Sequence, residues 1–274
     1  MFPGIITIIY NQRLKRGYFP KSWKIAEVIP ITKHANKNIL DPSKYRPISL
    51  LNMGGKILDK LLINRINYRL YKNELLTKSR YGFTPQKSTI DATMEAKSFI
   101  EPMLENRGLV IMTSLDIQGA FVSAWWPGIL QGLRDFKCPR NLYKLSKEFF
   151  NDRTVVMITK NYSIERRIKK ERPQVPSSGS GFWNVLYNAL LTLELTSRSK
   201  AIAFADDLII LSRGESVAEA ENYEFETIQE WAQNNKIKFN ENKSKLMLMS
   251  RRERKEKRRS TFTLRTKHLN KSTA

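Results

Sequence analysis

Cysteine is almost missing from this chain of 274 residues: Cys138 stands alone. No internal disulfide can form, and no cysteine-built zinc site can be assembled. Histidine is nearly as scarce, with only His34 and His268, so no histidine metal centre is expected. Any metal would have to be held by carboxylates, which is the chemistry of Mg²⁺ or Mn²⁺. Long apolar runs are also lacking. None approaches the roughly 20 residues that a spanning helix needs. The opening MFPGIITIIY carries its charges after the apolar stretch, the reverse of a signal peptide, and no membrane partner is expected. Acid is in deficit as well: 26 Asp and Glu stand against 48 Lys and Arg, a net charge of +22.

What is present fits a folded, polyanion-binding protein. Hydrophobic residues make up 41% and aromatics 10%, enough for a real core, which excludes wholesale disorder. At about 150 residues per domain the chain holds one large domain or two small ones. The surplus of positive charge sets up a field that attracts phosphate backbones. Composition alone is satisfied by a basic structural binder of nucleic acid.

Periodicity divides the chain into mixed elements. Ile5, Ile8 and Ile9 predict a helix over 5–16, closed by Gly17 and Pro20. Residues 25–32 read as a strand interrupted by Pro30, followed by a polar loop from Lys33 to Pro47. Ile57, Leu58, Leu61, Leu62, Ile66 and Leu70 predict an amphipathic helix over 55–71. Ser88 and Asp91 form a capping-box pattern that opens a further helix. The run 109–115 reads as a buried strand, 125–135 and 141–150 as helices, and 153–169 as a hairpin around Asn161. Residues 182–193 are apolar on most sides and predict a buried helix. Two strands, 200–205 and 208–212, flank Asp206-Asp207. Ser216 and Glu219 cap a helix reaching Asn234, and 244–249 is a last strand. From Arg251 the block RRERKEKRRS opens a basic tail, 251–274, expected to be disordered.

The chemistry is expected at three carboxylates. Asp116 directly follows the run 109–115, and Asp206-Asp207 sit between two strand-like runs in FADDLIIL. A strand ending on an acid and a hairpin turning on two acids can meet at one sheet edge. Such a cluster repels itself unless divalent ions sit within it. That is the donor set of a two-metal phosphoryl-transfer centre. An Asp-Asp pair by itself is also an ordinary turn. The flanking apolar runs, the third acid and the basic bulk favour the metal site.

The motifs also carry a resemblance. YRPISLLN (45–52), YGFTPQKST (81–89) and LDIQGAF (115–121) are followed by WWPGIL (125–130). Then come Pro173-Gln174, Phe182-Trp183-Asn184, Phe204-Ala205-Asp206-Asp207, and Trp231 ahead of Lys238-Phe239. In this order and spacing the set resembles the reverse transcriptase domain of non-LTR (LINE-type) retrotransposons, in the insect jockey-like and ribosomal-DNA-inserting branch, from about Gly17 to Ser250.

The resemblance implies an α+β right-hand polymerase fold, with fingers over 1–109 and a palm over 110–250 built on an antiparallel sheet with packed helices. It implies RNA-directed DNA polymerase activity on an RNA template, a DNA primer and deoxynucleoside triphosphates, with Mg²⁺ or Mn²⁺ as cofactor. It makes Asp116, Asp206 and Asp207 the catalytic, metal-holding acids. It makes Lys33 and Arg46 the cations that grip the triphosphate, Phe121 the ring that blocks a ribose 2′-OH, and Gln174 a lining residue of the nucleotide pocket. Lys243 lies near a basic position that protonates pyrophosphate, with Lys245 competing for that role. An intracellular location, nuclear by analogy with the family, goes with this reading.

The sequence also departs from the pattern. Val122 stands where the family has Asp, and Val175-Pro176 where it has Gly after Pro-Gln. Lys170-Glu171-Arg172 replaces the usual lead-in, the helix over 217–234 is short, and neither a thumb nor an endonuclease is recognised. A β-branched residue in place of glycine adds bulk and restricts φ where nucleotide and primer pass. These are the marks of a truncated, decaying copy. The alternative function is therefore a catalytically inactive, retrotransposon-derived remnant that still binds nucleic acid.

Overall fold

A computed structural model of the chain describes residues 3–32, 44–120, 124–159, 162–168, 178–216 and 224–251. In it the apolar runs pair into two four-stranded sheets. Helix α1 (Pro3–Arg16) leads through a short 3₁₀ turn to β1 (Ile25–Thr32) and β2 (Tyr45–Leu51), followed by α2 (Met53–Lys72) and α3 (Thr89–Glu105). Strand β3 (Leu109–Leu115) precedes α4 (Trp126–Asp135) and α5 (Arg140–Phe150). The hairpin β4 (Arg153–Ile158) and β5 (Ser163–Ile168) leads to α6 (Gly179–Leu191). The chain continues through β6 (Ser199–Phe204), β7 (Asp207–Gly214), α7 (Glu224–Asn234) and β8 (Lys245–Ser250). Among the described residues no helix is long and apolar enough to cross a membrane.

The first sheet has the order β2-β1-β4-β5, so it joins strands from both sides of the 109/110 boundary. Strand β1 runs unbroken through Pro30, which faces Pro47 across the β1–β2 pair. The expected interruption is absent for a physical reason. Strand β2 is an edge, and β4 pairs with β1 only over Ile25 to Glu27. Both prolines can therefore turn their missing N–H outward without losing a ladder bond. One face of this sheet packs inward through Ala26 and Leu51, while Ile25, Ile29 and Ile31 stay exposed.

The second sheet, β6-β7-β3-β8, is antiparallel throughout. Helix α3 covers one face through Phe99, which packs with Val110, Ile202 and Leu211. Leu115, Ala203, Leu208 and Ile210 face the main core. Helix α3 starts on the expected capping box: the Ser88 N–H donates to Asp91 Oδ2 at 2.7 Å, and the Asp91 N–H to Ser88 Oγ at 3.3 Å. Helix α6 is buried almost all round, as its sequence predicts, and Phe182 sits against Phe149 and Phe150. A charge is also buried where the first sheet meets the helices. Arg153 of β4 lies 4.5 Å over the Phe149 ring. Burial pushes its guanidinium down to about 10, against the upward pull of Asp59 on α2.

Candidate active site

Register brings the acids together. Leu115, the last residue of β3, lies opposite Leu208 of β7. Asp116 and Asp207 are the next residues of the two strands beyond that last pair. Phe204 pairs with Asp207, so β6 and β7 are joined by the two-residue turn Ala205-Asp206. All three acids thus occupy one end of the second sheet. The carboxyl of Asp207 is held above its ordinary value by partial burial, then by the negative charges of Asp206 and Asp116.

Asp116 is anchored through its backbone. Its N–H donates to Ser244 Oγ at 3.2 Å, and its carbonyl accepts from the Asn240 N–H at 2.7 Å. Its carboxylate lies 3.9 Å from the exposed Lys243 Nζ. Lys245, the competing candidate, starts β8 opposite Ser114.

The acidic turn is strained and buttressed. Ala205 has φ +55°, a conformation that L residues rarely hold without support. Trp183 of α6 donates from Nε1 to the Ala205 carbonyl at 3.2 Å. The segment before α3 lies alongside β6: the Tyr81 N–H donates to the Ala203 carbonyl at 2.9 Å, and the Ala203 N–H to the Ser79 carbonyl at 3.0 Å. A Cβ on Gly82 would stand 1.8 Å from the Ala205 nitrogen, so only glycine fits there. Behind the turn Arg80 is buried. Its Nε and Nη2 donate to Asn184 Oδ1 at 3.1 and 2.7 Å, and its guanidinium lies 4.8 Å over the Tyr187 ring. Burial lowers Arg80 to about 10, while Tyr187 and then Asp206 pull it upward.

Beside the acids a cavity of about 580 Å³ runs between α3 and the sheet, lined by Ala92, Ala96, Met112 and Ile202 and ending at Asp207. Of the other expected residues, Arg46 is exposed on β2 of the first sheet, opposite Ile31. Lys33, Phe121 and Gln174 lie outside the described residues, as do Val122, Val175 and the tail beyond Arg251.

Arg80 and Ser244 were not singled out from the sequence. Gly82 and Asn184 lie inside recognised motifs, but their packing roles have no sequence signal apart from that membership. Ser244 has none: its hydroxyl reaches Asp116 only through the β3–β8 pairing.

The chain matches the family model described as reverse transcriptase (RNA-dependent DNA polymerase) over residues 31–267. It is 31% identical over 248 residues to the RNA-directed DNA polymerase from mobile element jockey of Drosophila melanogaster, covering 87% of this chain and 27% of that protein. It is also 31% identical over 205 residues to the Pol polyprotein of the type-1 retrotransposable element R1 of Bradysia coprophila, covering 75% of this chain and 20% of that protein. The chain therefore spans about a quarter or less of these relatives. Apo telomerase from Candida tropicalis shares the fold, with a TM-score of 0.62 at 11% identity, covering 89% of this chain and 48% of that one. The chain belongs to the reverse transcriptase (RNA-dependent DNA polymerase) family, among the polymerases of non-LTR retrotransposons.

Proposed function

We propose that this chain adds deoxynucleotides to a primer 3′-OH under the direction of an RNA template. The primer oxygen loses its proton and attacks the α-phosphate, and the bond to pyrophosphate breaks. The observation that carries the reading is the register that brings Asp116, Asp206 and Asp207 to one end of the sheet, with Asp207 raised by burial and then by both neighbours.

A divalent cation fits the donor chemistry. Carboxylate oxygens are hard ligands for Mg²⁺ or Mn²⁺, and a cation would offset both the burial of the Asp207 charge and its repulsion by Asp206 and Asp116. Among the described residues no three acid, histidine or cysteine side chains are already grouped to hold an ion. Asp116, Asp206 and Asp207 would hold it by turning their carboxylates to a common point. When bound, the ion supplies charge neutralisation for the attacking and leaving oxygens.

The rest is work for this chain's own side chains. Arg46 and Lys33 grip the triphosphate, Phe121 excludes a 2′-OH, and Gln174 lines the nucleotide pocket. Residues 1–109 act as fingers and 110–250 as palm, with the first sheet shared between them. The basic surface, +22 over the chain, holds template and primer through their backbones.

Primer extension on an RNA template with Mg²⁺ or Mn²⁺, run beside filter binding, tests this. Extension that is lost in Asp206→Asn supports the proposal. Binding without extension favours the second reading, an inactive remnant, for which Val122 and Val175 are the specific observations.

A further inference from the structure

Arg80 is only 1% exposed, yet its fork is spent on a neutral amide, that of Asn184. Stability alone gives no reason for this, since an apolar pair of the same shape serves a core at least as well. Position supplies a reason. Asn184 receives Arg80 on Oδ1 and donates from Nδ2 to the Phe83 carbonyl at 3.1 Å. It therefore brackets both ends of the segment Arg80–Phe83. Tyr71 Oη reinforces the far end, donating to the same carbonyl at 2.9 Å. Gly82, in the middle of that bracket, is the residue pressed against the Ala205 backbone. The preceding residue on α6, Trp183, holds the Ala205 carbonyl from the other side. Adjacent residues of one buried helix thus fix both partners of the contact that sets the acidic turn.

We infer that Arg80 and Asn184 are positioning residues, which hold the strained Ala205-Asp206 turn by clamping Gly82 against it. The inference rests on reading the three acids as the reacting centre. The pair acts through backbone geometry, and the charge of Arg80, which also reaches Asp206, is kept in Asn184→Leu. A displacement near 1 Å at reacting atoms costs about a hundredfold in rate, so a loosened clamp lowers turnover while nucleotide affinity is kept.

The test uses Arg80→Met, Asn184→Leu and the double variant in the full chain, with three readouts: melting temperature, kcat against KM for the nucleotide, and amide hydrogen exchange over residues 204–208. Each single variant leaves a buried polar group unpaired and is expected to melt lower. The double variant removes both polar groups and regains most of the melting temperature. Its kcat stays at least tenfold low with KM within twofold, and residues 204–208 exchange at least tenfold faster while the β4–β5 hairpin is unchanged. Recovery of kcat and of protection together with melting temperature overturns the inference and leaves a packing role only. Arg80→Lys keeps the charge but not the two-pronged fork onto Asn184, and is the variant to use if the others do not fold. Faster exchange at 204–208 with a near-normal melting temperature supports the clamp, and unchanged exchange overturns it. If the unaltered chain extends no primer, the functional reading fails by itself, and exchange at 204–208 still decides whether the pair holds the turn.

Discussion

The two sheets of this molecule are built to opposite plans. The second is covered on both faces, by α3 and by the main core, and its acid-bearing end is fixed by hydrogen bonds from α6, from the segment before α3 and from the β8 side. The first is packed on one face only, and carries Ile25, Ile29, Ile31 and Arg46 on exposed positions. The contrast separates two demands. Acids that repel one another can be held close only by a rigid frame. Under the proposed function Arg46 would reach a polyphosphate, and a cation on an open surface does not lose its charge to burial.

Breaking the rigid sheet should cost most. Asp206→Asn should reduce primer extension by more than the roughly 10–100-fold typical of residues that merely support a metal ligand; loss smaller than tenfold in a single-nucleotide assay counts against the acid's role. Ile210→Ala, buried on β7, should destabilise by about 2–5 kcal/mol in chemical denaturation. The matched change in the open sheet, Ile29→Ala, should stay within about 0.5 kcal/mol. If the two truncations cost the same, the contrast between the sheets is wrong.

Acid pH probes the same contrast more gently. Asp207 has its folded pKa raised, so the protonated form is favoured by folding. The corresponding stability is present below the unfolded carboxylate pKa and is lost as pH rises through the folded value. Asp207→Asn should therefore raise the metal-free melting temperature at neutral pH, and the gain should shrink on acidification; a gain independent of pH contradicts the raised pKa that burial and then the neighbouring acids give this carboxyl. Asp91 runs the other way. Its hydrogen bonds to Ser88 lower its pKa, so its small capping contribution is present above the unfolded value and fades as pH falls through the folded one. Asp91→Asn should give the smallest effect of the set, confined to neutral pH and above in a thermal melt.

Much of this was legible in the sequence because the signals are local. A mostly apolar run of seven residues followed by Asp116, two runs flanking Asp206-Asp207, and Ser88 three residues before Asp91 specify strand, hairpin and cap within a few residues. The buried helix over 182–193 declared itself by being apolar on most sides. What escaped is non-local. Strand β1 lies beside β4, some 130 residues later, a pairing no periodicity encodes. Pro30 read as a break because its tolerance depends on which neighbour strands reach it. Arg80 looked like one more of 48 cations until the fold buried it behind the acidic turn. Ser244 is an ordinary polar residue until β8 brings it to Asp116. Lys33, Phe121 and Gln174 stand on motif resemblance alone, since they lie outside the described residues.

Direct titration of Mn²⁺ onto the chain with bound primer, RNA template and a non-reacting nucleotide, read by electron paramagnetic resonance, tests the central claim most directly. Saturable binding in the unaltered chain that is lost in Asp116→Asn and in Asp206→Asn is the result expected of a shared carboxylate centre. Equal Mn²⁺ binding by all three proteins would show that these acids do not form it.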